Sequence, residues 1–111
     1  MNISGKQPLG LKVKSQKKDP KYLAWIHDQH CIICEMHGEP QNSPTQAHHC
    51  IHGRHSTAKA PDSLCIPLCE GHHQGMFDTT KIAVHREPKK WQVLYGQDTD
   101  YVDAIRSRYP N

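Results

Sequence analysis

The sequence predicts an α+β fold in one small domain, on three observations. Two short extended pieces, Thr45 to Ile51 and Ser63 to Leu68, lie between stretches with helical periodicity. Cys31-x-x-Cys34, followed much later by Cys69-x-x-His72, has the spacing of a four-ligand zinc site, in which two knuckles each give two ligands to one tetrahedral ion. The chain has 111 residues, of which 35% are apolar and 6% aromatic, too few for a large core. A structural zinc ion is a natural supplement, since its binding free energy, on the order of 10 kcal/mol, becomes folding free energy.

Taken in order, residues 1 to 18 show neither helical nor strand period and read as a flexible basic arm, leaving 19 to 111 as the folded domain. Asp19-Pro20 is a helix start, with Asp as N-cap and Pro at the first helical position. Tyr22, Leu23, Trp25 and Ile26 give the helix up to Gln29 one apolar face, expected to pack onto the zinc site that follows. His30 to Gly38 is the first knuckle, and Glu39 to Pro44 is a loop. The first extended piece ends in or near the pair His48-His49. Gly53 to Ser63 connects it to the second, where Pro67 restricts the strand because it gives no ladder donor. A helix over Cys69 to Thr79 brings Cys69, His72 and His73 together on its first turns. Another opens at Glu87-Pro88 and runs to Tyr95, with Trp91 and Leu94 inward and Gly96 as its stop. Asp98 to Tyr109 is a last helix, with Tyr101, Val102 and Ile105 as its apolar side.

Charge and cysteine usage narrow the class. The formal net charge of +3 is concentrated in Lys6, Lys12, Lys14, Lys17, Lys18 and Lys21 against Asp19, and the rest of the chain is near neutral. Such an arm suits sequence-independent contact with a polyphosphate, and equally a solvated leader. Five cysteines, no apolar signal segment and no run of transmembrane length favour reduced, metal-binding thiols in a cytoplasm over a secreted disulfide scaffold or a membrane protein.

Cys31, Cys34, Cys69 and His72 close a coordination sphere and leave no position for a substrate. Cys50, Cys65 or His37 is the alternative for one of the four places, although Cys50 and Cys65 read first as buried small side chains. His48, His49, His73 and Asp62 remain, with His52 and His55 close by in sequence, while His27 and His85 read as ordinary surface or boundary histidines. Adjacent histidines at a strand end, met by a helix returning another, can hold a divalent ion through few protein ligands. Such an ion stabilises charge on a leaving oxygen, and an imidazole beside it can take a proton from water. Arg54 and Lys59, in the connecting loop, are candidates for phosphate contact, which positions a backbone without reading bases.

The order Cys-x-x-Cys, Ala47-His48-His49, Lys59-Ala60-Pro61-Asp62 and Pro67-Leu68-Cys69-x-x-His72-His73 resembles the ββα-metal, or HNH, endonucleases. More narrowly, it is similar to the small phage and bacterial HNH-like proteins that include the phage recombination enhancement nuclease. The resemblance covers residues 20 to about 96 and implies a zinc-stabilised ββα-metal domain with flanking helices. It implies hydrolysis of DNA phosphodiesters with low sequence specificity, in recombination, repair or processing, in the cytoplasm of a bacterial host. By the same resemblance, His48 and His73 bind a catalytic ion, Mg2+ or another divalent, His49 is the general base, and Asp62 positions the loop or aids the metal. Phe77 departs from relatives that carry a histidine four residues after the helix pair. That departure gives weight to a rival reading, a catalytically inactive zinc module that binds nucleic acid or a recombination or replication protein.

Overall fold

The computed structural model describes residues 18–52 and 61–110; the expected N-terminal arm up to residue 17, and Arg54, His55 and Lys59, lie outside them. Helix α1, Pro20–His27, starts as its sequence requires: the Asp19 carboxylate accepts from the Tyr22 amide at 3.2 Å, with Pro20 in the first turn. Its buried residues are Tyr22 and Ile26, it packs against the two strands, and it shares one buried core with Cys31, Cys34 and Cys69. The first knuckle is a short helix, α2, over Ile32–His37, with Cys31 as its N-cap and Gly38 closing it.

Strands β1, Thr45–His48, and β2, Ile66–Cys69, form a two-stranded antiparallel sheet in which Thr45 pairs with Cys69 and His48 with Ile66. Both strands are edges of this sheet, so Pro67 sits in β2 opposite Ala47 without breaking a central ladder. A 3-10 turn over Asp62–Leu64 leads into β2, and β2 passes directly into helix α3, Glu70–His73.

Helix α3 is much shorter than the expected Cys69 to Thr79. The buried Glu70 carboxylate accepts from the amides of Met76, Phe77 and Asp78 at 2.7, 3.2 and 2.9 Å, taking donors that a continuing helix would use on backbone carbonyls. Gly75, at φ 68°, turns the chain out of the helical path. The segment beyond then runs back beside α3, with the Val84 amide donating to His72 O at 2.8 Å and the His85 amide to His73 O at 3.0 Å.

Helix α4, Pro88–Tyr95, has the expected bounds and buries Trp91, but Leu94 is half exposed, because Tyr95 and not Leu94 shares the inward face. Gly96, at φ 87°, stops α4. A 3-10 turn, Asp98–Tyr101, and helix α5, Val102–Arg108, replace the single last helix expected there, with Tyr101 and Ile105 buried as read from the sequence. Helix α5 returns to α1, where the Arg106 guanidinium lies 4.9 Å from the Tyr22 ring centroid and Tyr109 packs edge-on to Tyr22 at 4.9 Å. The main core gathers Tyr22, Ile26, Ile32, Ile33, Ile66, Leu68, Val84, Trp91 and Ile105 around the sheet. Among the described residues, no helix is long and apolar enough to cross a membrane.

A Cβ added at Gly75 would lie 2.8 Å from the Ala83 side chain and 2.4 Å from Arg86 Nη1, in a backbone conformation that already disfavours any other residue. Gly75→Ala is therefore expected to lower stability by about 1–3 kcal/mol. Urea unfolding of the two proteins measures it, and an unchanged midpoint would remove Gly75 as the cause of the short α3.

Candidate metal centres

The first cluster joins α2 to the β2–α3 junction. Cys31 precedes α2 and Cys34 lies one turn in, while Cys69 is both the last residue of β2 and the N-cap of α3, with His72 one turn beyond. His72 Nδ1 lies 3.4, 3.5 and 3.3 Å from the sulfurs of Cys31, Cys34 and Cys69, and the Cys34 and Cys69 sulfurs are 3.8 Å apart. A tetrahedral zinc with ordinary bond lengths needs edges of about 3.8 Å between sulfurs and about 3.5 Å from sulfur to nitrogen. The four buried donors thus fit a metal such as zinc.

The three thiols hold their protons unequally. A hydrogen bond from the Cys31 thiol, aided by His72 and opposed by burial, pulls the Cys69 thiol down to about 4, so Cys69 carries a thiolate. The same bond and burial raise Cys31, and burial pushes Cys34 up to about 11. His72 turns its other nitrogen to Glu39 Oε1 at 3.1 Å, and Glu39 is held in turn by the Tyr95 hydroxyl at 2.9 Å. None of the alternatives takes a place in this quartet. His37 Nε2 meets the Tyr101 hydroxyl at 3.2 Å, Cys50 donates to Leu64 O at 3.6 Å, and Cys65 is buried in the core.

The second cluster is three imidazoles, His48, His73 and His85, with one ring nitrogen of each within 4.8 Å of the others. Their ring centroids are 5.1, 5.2 and 4.9 Å apart. His48 ends β1, His73 ends α3, and His85 arrives on the returning segment beside His73. By sequence, His48 and His73 belong together and His85 reads as a surface or boundary residue; the return at Gly75 brings it in. Position 77, where the resemblance expects a further histidine, lies beyond α3, and Phe77 is 91% exposed there.

Each buried ring has one nitrogen occupied on its outer side. His73 Nδ1 is 2.7 Å from Gln46 Oε1, and His48 Nε2 is 2.7 Å from Asp98 Oδ2. His48 Nδ1 is buried without a hydrogen-bond partner, as expected of an atom whose partner is an ion. Burial, with His48 and His85 nearby, pushes His73 down to about 3, which keeps the ring neutral and able to ligate at neutral pH. Three imidazoles fit a divalent transition metal, while magnesium prefers oxygen donors.

His49, the first residue past β1, lies outside this trio. Its Nε2 is 2.8 Å from Asp62 Oδ1, and its side chain is 22% exposed. Asp62 also accepts from the Asp19 amide at 2.9 Å, which anchors it to the start of α1. Asp62 is therefore placed on His49 rather than among the three clustered imidazoles. His52 turns to Asp98 instead of the trio, accepting from its amide at 2.9 Å. Asp98 had no signal in the sequence reading, since only the fold brings it to the end of β1.

The chain belongs to the family described as Protein of unknown function (DUF968), which matches residues 10–108. No curated protein and no solved structure matches the chain.

Purified protein is expected to hold one tightly bound zinc at the cysteine cluster. Cys31→Ala is expected to lose it together with the folding transition, whereas Cys50→Ala keeps it. Metal analysis and circular dichroism check this, and retention of zinc by Cys31→Ala would remove the quartet as the structural site.

Proposed function

We propose that the protein is a metal-dependent DNA endonuclease of the ββα-metal type, with His49 as general base and His48, His73 and His85 holding a divalent ion. The observation that supports this most is the pairing of the imidazole trio with a separate, partly exposed histidine that is oriented by a carboxylate. With Nε2–H donated to Asp62, His49 keeps a lone pair on Nδ1 for a water proton. The antiparallel pair followed at once by a helix, β1–β2–α3, also has the element order that the sequence resemblance implies.

In the reaction, the water oxygen attacks phosphorus, its proton passes to His49 Nδ1, and the bond to the leaving oxygen breaks as that oxygen takes a proton from a solvent water. Asp62 steadies the imidazolium so formed and keeps the ring from rotating away. When bound, the divalent ion supplies Lewis-acid stabilisation of the charge on the phosphate and the leaving oxygen. His48 and His73 hold their ring orientations through Asp98 and Gln46, so these two rings do not have to reorganise on binding. The quartet at Cys31, Cys34, Cys69 and His72 shapes the domain and takes no part. Arg54 and Lys59 are proposed to contact the DNA backbone, and the N-terminal lysines to add affinity that falls steeply with salt. DNA is then the partner, with a recombination or replication protein as a further one.

The test is nicking of supercoiled plasmid with Mn2+, Co2+, Ni2+ and Mg2+ in turn. His49→Ala is expected to lower the rate about 100- to 10,000-fold, the usual contribution of a general base, with zinc content and folding unchanged. If pure wild type cleaves nothing with any of these ions yet retains DNA at low salt, the inactive binding module is the better reading.

A further inference from the structure

Asp98 is a fully buried carboxylate in the first turn after Gly96, outside the strand–strand–helix unit that carries the histidines. Its surroundings are donors. Oδ2 accepts from His48 Nε2 and from the Ile51 amide, both at 2.7 Å, and Oδ1 accepts from the His52 amide at 3.2 Å. The Asp98 amide donates to His52 Nδ1 at 2.9 Å, so one residue grips the chain beyond β1 at three places. With backbone amides donating to both of its oxygens, Asp98 stands here as an acceptor.

The consequence falls on His48. A carboxylate only accepts, so Nε2 must carry the ring proton of a neutral His48, and the lone pair is left on Nδ1. That is the buried nitrogen without a partner, on a ring packed against His73 and His85. We propose that Asp98 is a positioning residue for the open metal cluster, fixing the tautomer and aim of His48; this rests on the reading that His48, His73 and His85 share an ion. Asparagine cannot substitute. With its oxygen toward His48 and Ile51 its NH2 faces the His52 amide, and flipped, it faces His48 and Ile51.

The experiment uses full-length protein with the cysteine cluster loaded with zinc, and Mn2+, a poor thiolate binder, as the probe of the second site. Asp98→Asn is expected to weaken Mn2+ binding by about 10- to 100-fold in calorimetry, with one zinc per chain retained. His52→Ala, which removes another arm of the same clamp, is expected to change it less than about threefold; a role confined to scaffolding would lower both alike. Long-range proton–nitrogen spectra of the wild type, without Mn2+, are expected to show His48 with its proton on Nε2. A proton on Nδ1 overturns the proposal, whether or not Asp98→Asn folds. So does equal Mn2+ affinity in wild type and Asp98→Asn, which leaves the three-histidine site intact. If folded, zinc-loaded wild type takes up no Mn2+, Co2+ or Ni2+, the three-histidine reading itself fails and this proposal with it.

Discussion

The constraint on which this small domain depends is the convergence of four donors from two segments far apart in sequence. Cys31 and Cys34 on one side and Cys69 and His72 on the other must meet at tetrahedral edge lengths, and they do so only if α2 lies against the β2–α3 junction. Cys69 is the point of economy: it ends a strand, caps a helix and supplies a donor. Four buried donors of this kind with few other polar partners are costly to hold together unless an ion satisfies them. A chain whose apolar content is only 35% lacks the core that would impose the same arrangement by packing alone.

From that anchor, backbone geometry sends neighbouring histidines to different tasks. His48, the last residue of β1, goes into the trio, fully buried, while His49, just past the strand, goes out to Asp62. Adjacent residues on a helix are about 100° apart, so His72 reaches the cysteines and His73 the other imidazoles. In all four, the nitrogen away from the cluster or open side is tied to a side-chain oxygen: Glu39 for His72, Gln46 for His73, Asp98 for His48 and Asp62 for His49. On helix α4, Tyr95 packs against His72 and Trp91 against His52.

What could be read in the sequence was the part that local spacing determines. Cys-x-x-Cys and Cys-x-x-His each bring two donors together within a turn, and His48, His49 and His73 are marked by lying next to strand and helix ends. Asp19-Pro20, Gly96 and the apolar face with Tyr22 and Ile26 are local signals too, and each holds. What failed needed a tertiary competitor. The helix beyond Cys69 was cut short because a buried Glu70 side chain outbids the backbone for three amides, which composition does not reveal. His85 escaped for the same reason, since it joins the trio only after that turn, through pairing with α3 rather than through any period of its own. Asp98 lies 50 residues from His48 along the chain and has no motif around it.

The two clusters also differ in the charge they leave on an ion, and under the proposed reading this assigns their roles. Three thiolates more than cancel a divalent charge, so an ion among Cys31, Cys34 and Cys69 has neither an open position nor any attraction for phosphate. Three neutral imidazoles cancel none of it. Asp98 and Asp62 stand behind His48 and His49, where they orient rings without joining the trio. An ion at His48, His73 and His85 would then keep its charge for an anionic substrate, and His49, directly beside His48 in the chain, is the neighbouring group with a free lone pair to receive a proton.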